Sequence, residues 1–263
     1  MQFTIAGNGN MAWFLGQKLI QSGHVCNGVY GRNRKAVASL AGILQTTVLE
    51  NIRELMDADV CILAVTDTGI PEIAAQLQPG NAVLIHTSGT TAISALGNAV
   101  EHTGVLWPVY SILKTGFPQH RDIPVAWEAN TKQGEKMIQD IIKCFSDRAF
   151  PASTSQRQWL HLTAVIANNF TNHLVAVCEE ICTEQQLPYD ILLPILRQTF
   201  DRIMTVPAKN VQTGPARRGD DATIERHLNM LSVHPEWRQL YQALTASIEN
   251  MYRQEHTDTD LNR

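Results

Sequence analysis

Charge is scarce in these 263 residues and neither sign dominates: 17% are Asp, Glu, Lys or Arg, with 21 cations against 25 anions and a net charge of −4. The balance is even along the chain, 11 against 12 in residues 1–150 and 10 against 13 in the remainder. No basic field exists to gather nucleic acid or an anionic membrane surface. Cysteine is sparse too, five in all, odd in number and widely scattered. That excludes a fully paired disulfide framework and leads us to expect a reduced, cytoplasmic protein. Cys178 and Cys182 stand four apart but lack the further ligands a zinc site needs, so no metal is expected. The first strand begins at residue 2, leaving no signal peptide ahead of it. One stretch, Gln158 to Cys178, has no Asp, Glu, Lys or Arg and is long enough to span a bilayer. It also holds His161, Thr163, Asn168, Asn169, Thr171, Asn172 and His173. So many polar groups are costly in hydrocarbon, and the stretch reads as a helix buried in protein.

What is present is apolar, 44% of the chain, enough for one large domain or two ordinary ones. The strand Phe3-Thr4-Ile5-Ala6 runs into Gly7-Asn8-Gly9-Asn10-Met11-Ala12 and then a helical pattern through Trp13, Phe14, Leu15, Leu19 and Ile20. This is G-x-G-x-x-A in a strand–turn–helix setting, the pattern that holds a dinucleotide. Gly7 permits the tight turn, Gly9 lets a pyrophosphate approach the backbone, and Ala12 lets helix and strand pack closely. The helix N-terminus offers N–H groups to the phosphates.

The second strand, Val25 to Tyr30, ends in Gly31-Arg32-Asn33-Arg34-Lys35. An NAD site usually places Asp or Glu here for the ribose hydroxyls. Three cations in four residues suit a 2′-phosphate instead, which Arg grips with paired charge-assisted bonds. NADP(H) is therefore expected, held by Arg32 and Asn33 and then Arg34. At least one of these cations is simply the solvated start of the next helix.

Further apolar runs at Val60–Val65 and Ala82–Ile85 fit a parallel sheet covered on both faces. Short strands are expected at Gly104–Leu106, Pro124–Trp127 and Arg148–Phe150, with a helix from Lys132 to Cys144. Residues 1–152 thus read as a Rossmann-like, doubly wound α/β domain with a mostly parallel sheet. Val65 and Thr66, and His86 and Ser88, lie at strand tips near the expected nicotinamide. From Pro151 the pattern changes. Ser153-Thr154-Ser155-Gln156 reads as a capping box opening a long helix to about Gln186. Helices follow at Asp190–Met204, with Pro194 expected to kink or offset it, and at Asp221–Leu231 and Pro235–Gln254. Residues 153–263 are read as an all-helical substrate and dimerisation domain.

Gly7-Asn8-Gly9-Asn10-Met11-Ala12 resembles the fingerprint of pyrroline-5-carboxylate reductases. Gln156-Arg157-Gln158-Trp159-Leu160-His161, Ala167-Asn168-Asn169-Phe170, Thr213 through Asp220 and Thr223 through Leu228 resemble the NADP oxidoreductases of unassigned substrate, which join a Rossmann-like domain to a helical domain of unknown function. The resemblance spans nearly the whole chain. It implies a fold similar to the 6-phosphogluconate dehydrogenase superfamily and a homodimer formed through the helical domain. Related hydroxy-acid enzymes carry Lys four residues before an Asn on the long helix. Here those positions are Ala164 and Val165, which argues against a β-hydroxyacid mechanism. Where the family often has His-Pro after a core strand, this chain has Trp107-Pro108, so no catalytic histidine stands there.

Hydride transfer needs a held nicotinamide and one managed proton. His161, Asn168 and Asn172 fall on one face of the long helix, with Asn169 and His173 on a neighbouring line. His161 and Asn169 are expected to face substrate, a histidine bonded to a loop carbonyl being the competing role, while Asn168, Asn172 and His173 are expected to be structural. Arg218 is suited to clamp a carboxylate or to pair with an acid across a dimer, and Ser88 to stand beside the nicotinamide. Asp220 or Asp221 reads as an N-cap. The expected activity is NADP(H)-dependent reduction of a small carbonyl or imine. The alternative is a catalytically silent NADP(H)-binding sensor or interaction protein on a dehydrogenase scaffold.

Overall fold

Every residue of the first strand, β1 (Gln2–Ala6), is buried from Phe3 onward, as is every residue of β3 (Val60–Leu63) and β4 (Val83–His86), and all of them but Thr4 and His86 are apolar. Such strands are stable only with helices on both faces. The structure, a computed structural model, describes residues 1–78, 80–98 and 100–260, with side chains to residue 253. β2 (Val25–Tyr30), β5 (Thr103–Pro108), β6 (Pro124–Ala129) and β7 (Arg148–Pro151) complete a seven-stranded sheet in the order β2-β1-β3-β4-β5-β6-β7. All neighbours are parallel except β5 with β6.

The chain moves outward from β1 to β2, then returns to place β3 on the other side of β1. That reversal opens a crevice beyond the carboxyl ends of β1 and β3, where ligands of such sheets bind. On one face α1 (Asn10–Gln21) buries Ala12, Leu15, Gly16 and Leu19 at helical spacing, with Phe14 edge-on to Phe117 and Phe145. α2 (Arg34–Ile43) and α4 (Lys132–Ile142) add Val37, Leu40, Ile138 and Ile141 to this core. The other face gathers Leu55, Cys61, Leu63, Leu84 and Leu96, with Ile70 from the short α3 (Gly69–Ala74).

No strand follows Pro151 among the described residues. Ser153 opens α5 (Thr154–Ala164) through the expected capping box: its Oγ accepts from the Gln156 N–H, and Gln156 Oε1 accepts from the Ser153 N–H. The expected single long helix is interrupted by a π-helical turn, Val165–Phe170, before resuming as α6 (Thr171–Glu184). Two compact units divide at this turn, Met1–Asn169 and Phe170–Arg263. In the second unit α7 (Leu193–Ile203) has Pro194 in its first turn, where a missing N–H costs nothing. The proline starts this helix rather than kinking it. α8 (Pro215–Arg218), α9 (Asp221–Met230) and α10 (Pro235–Asp260) follow. Asp220 caps α9, accepting from the Thr223 N–H at 3.1 Å. Among the described residues of this unit only Cys182 and Tyr252 are buried. No helix of the described residues is long and apolar enough to cross a membrane.

Candidate active site

The turn after β1 has two glycines with different reasons to be glycine. Gly7 has φ 117°, its N–H donates to the Tyr30 carbonyl at 2.8 Å, and a Cβ there would lie 2.1 Å from the Ala64 carbonyl oxygen. The fold demands it. Gly9 has an ordinary φ of −74°, and a Cβ would meet nothing within 4 Å. Protein packing gives no reason for glycine there; the open space in front of it does. α1 then begins with no side-chain cap and no acid in its first turn, leaving its first N–H groups and the positive end of its dipole toward that space.

The space is a cleft of about 570 Å³ lined by Gly7, Asn8, Gly9, Asn10, Met11, Arg32, Asn33, Val65, Thr66 and Thr87, among others. Glu72 and Arg32 are its charged lining residues. Arg32 is exposed and makes no ion pair among the described residues. Asn33 also caps α2, accepting from the Ala36 N–H at 3.1 Å. Three expected contacts are absent from the lining, His86 at the tip of β4 among them. Ala12 is wholly buried in the core, and Arg34 is turned to the Leu49 carbonyl (2.9 Å) and the Glu50 carboxylate (2.7 Å).

At the tip of β4 the structure gives His86 and Ser88 internal work. His86 is fully buried, and its Nδ1 accepts from the Ser88 N–H at 3.2 Å. Burial first, and the Arg157 guanidinium second, push its pKa down to about 4, so the ring is neutral. Ser88 Oγ accepts from the N–H groups of Thr90 (3.2 Å) and Thr91 (3.0 Å), which folds the loop back on itself. Neither residue lines the glycine-turn cleft; Thr87 between them does. The loop is pinned from α5. Arg157, wholly buried, pairs with Glu128 of β6 and donates to the carbonyls of Ala152 (3.1 Å) and Thr91 (2.9 Å). Gln158 reaches the Thr90 carbonyl at 3.1 Å.

A second cavity in the first unit, about 630 Å³, is walled by Trp107, Tyr110, Ser111, His161, Asn168 and Asn169, and none of its lining residues is Asp, Glu, Lys or Arg. The rings of Trp107 and His161 stand 5.7 Å apart. Gly89 makes room for Trp107, since a Cβ there would lie 2.5 Å from the indole. The π turn contributes Asn168 and Asn169 together, so Asn168 joins the cavity where a structural role was expected. π turns are recurrent at functional sites because one extra residue re-aims the side chains beyond it. Arg218 lies in the second unit at the end of α8, 63% exposed and 3.9 Å from the Asp220 carboxylate. Sequence reasoning missed Tyr110 and Ser111, which belong to no short motif, the unusual Trp107-Pro108 being the one signal in that region, and it quoted Arg157 within a motif without assigning it a role. No group of three or more metal-binding side chains occurs among the described residues.

Residues 2–89 match a family described as NADP oxidoreductase, coenzyme F420-dependent. Residues 123–248 match a domain of unknown function, DUF2520. A Bacteroides fragilis protein, its crystal structure provisionally described as an NADP oxidoreductase, is 30% identical over 95% of this chain and 98% of its own, with a TM-score of 0.86. The chain belongs to this NADP oxidoreductase family. Its fold is shared more distantly by pyrroline-5-carboxylate reductase of Streptococcus pyogenes (14% identity, 95% and 98% of the two chains, TM-score 0.61). An imine reductase of Myxococcus stipitatus in complex with NADP+ shares it as well (13%, 98% and 95%, 0.64). No curated protein matches the chain.

Proposed function

We propose that this member of the family binds NADP(H) in the glycine-turn cleft and reduces a small carbonyl or imine held in the cavity beside His161. The observation that carries the reading is Gly9, a glycine with ordinary backbone and empty space where its side chain would be. A diphosphate laid against that backbone would use the space and the uncapped start of α1. Arg32 and Asn33 line the same cleft and would hold the 2′-phosphate, and Val65 and Thr66 the nicotinamide half.

When bound, the dinucleotide supplies or accepts a hydride. The chain's part is to orient the substrate and manage the proton. His161 is the imidazole of the uncharged cavity and would donate to the carbonyl oxygen or imine nitrogen, while Asn168 and Asn169 would hydrogen-bond the substrate. His86 and Ser88 shape the strand tip from inside, and Arg157 fixes the loop that carries Thr87. We place the protein in the cytoplasm, consistent with five free cysteines.

We also assign a homodimer through the second unit. A unit with two buried residues among those described has too little core to stand alone, while Ile191, Ile195, Phe200, Met204, Met230 and Val233 remain exposed. A second copy of the same helices supplies the missing apolar cover.

Gly9→Val tests the cofactor assignment. The added Cβ meets no protein atom within 4 Å and φ is ordinary, so the melting temperature should stay within about 2 °C of wild type, while NADPH binding by calorimetry should disappear. A Gly9→Val protein that binds NADPH as wild type does would refute it.

A further inference from the structure

We propose, resting on the NADP(H) reading above, that Lys114 is a diphosphate-binding residue, delivered to the glycine turn by the loop between β5 and β6. Its ammonium donates to the Asn8 carbonyl at 2.7 Å and lies 5.0 Å from the centre of the Trp13 ring. Both contacts are with the glycine turn and the first turn of α1, 106 residues away in sequence. The loop is held there by Phe117 against Phe14, and Ile112 of the same loop is buried.

The carbonyl and the indole face favour a cation here, but the helix end does not. The start of α1 carries the positive end of the helix dipole and has no acid in its first turn. No carboxylate pairs with Lys114 among the described residues. A fixed ammonium on the Asn8 carbonyl and the unclaimed N–H groups of α1 are thus held by the same glycine turn, where a doubly charged diphosphate would complete the electrostatics. Arg32, at the far end of the cleft beyond β2, addresses a different phosphate. The two cations divide the dinucleotide between them.

Lys114→Met and Arg32→Ala separate these roles by calorimetry with NADPH and with adenosine 2′-monophosphate, which has the 2′-phosphate and no diphosphate. Lys114→Met should weaken NADPH about five- to tenfold, the size of one partly exposed charge-assisted contact. It should leave adenosine 2′-monophosphate within about twofold and the ligand-free melting temperature unchanged or slightly raised, since a like-charge contact has been removed. Lys114→Arg should restore NADPH binding, and Arg32→Ala should weaken both ligands. NADPH affinity unaffected by Lys114→Met overturns the proposal, as does an equal loss for both ligands, which signals a disturbed fold. Wild-type protein that fails to bind NADPH overturns the cofactor reading itself, an outcome distinct from normal binding with an indifferent Lys114.

Discussion

Replacing Glu128 by Gln should be one of the more damaging conservative changes this protein can receive. Glu128 is the charge partner of Arg157, whose side chain is 0% exposed while that of Glu128 is 25% exposed. The change keeps size and an acceptor oxygen, also used by Thr154 Oγ at 3.0 Å, but strands a guanidinium in the interior. Breaking one side of a buried pair costs about 3–5 kcal/mol. The lower end applies because Arg157 retains the carbonyls of Ala152 and Thr91 and the Thr154 hydroxyl. A loss of about 3 kcal/mol in a protein of this size lowers the melting temperature by about 6–12 °C. Asp122→Asn is the control. Its pair with Arg148 is 71% and 61% exposed on the two sides, and its loss should cost under about 0.5 kcal/mol. Urea unfolding at pH 7 of the two variants beside wild type gives the comparison. If Glu128→Gln loses less than about 1 kcal/mol, or no more than Asp122→Asn, the buried cation is not governed by this carboxylate.

The depressed pKa of His86 sets a pH dependence. The unfolded chain takes up a proton near pH 6.5 and the folded ring only near 4, so stability is full above about 6.5 and falls as pH drops toward 4, by about 3 kcal/mol at most. Urea unfolding at pH 7, 5.5 and 4 should show wild type and His86→Gln converging as pH falls; parallel curves would refute the assignment. The dimer assignment requires a melting temperature that rises between about 1 and 100 µM protein. A monomer by sedimentation at the upper concentration, melting at an unchanged temperature, would count decisively against it.

The parts of this protein legible in its sequence are those whose physics is local. Continuous apolar runs announced β3 and β4, and Gly7-Asn8-Gly9 announced the turn, since both patterns sit within a few consecutive residues. The Ser153 cap was legible for the same reason. Arg157 with Glu128 was not, because 29 residues separate them and an isolated Arg on a helix reads as solvated. His86 and Ser88 were placed at the correct strand tip, but which way their polar atoms turn depends on Arg157 and on the return of the loop. Arg34 had the charge expected of a phosphate ligand and lost that role to Glu50. The π turn at 165–170 leaves no sequence mark, because α and π spacing differ by a fraction of a residue per position.

The distribution of charge across the first unit limits what the proposed reaction can use. Arg32 lines the glycine-turn cleft and Lys114 bonds the Asn8 carbonyl, the two cations proposed to meet phosphates, while the cavity lined by Trp107 and His161 has no Asp, Glu, Lys or Arg. A substrate there meets one imidazole, a phenol, a hydroxyl and two amides. Such a set orients a neutral polar group and donates one proton; it offers no fixed charge to offset a substrate carboxylate. In the proposed reaction, binding energy for an uncharged carbonyl or imine would come from the aromatic wall, and hydrogen bonds from Asn168 and Asn169 would set which face meets the nicotinamide. Selectivity in such a cavity rests on shape and hydrogen-bond direction, which is why a one-residue π insertion that brings both amides to the same wall matters more to the chemistry than any charged side chain nearby.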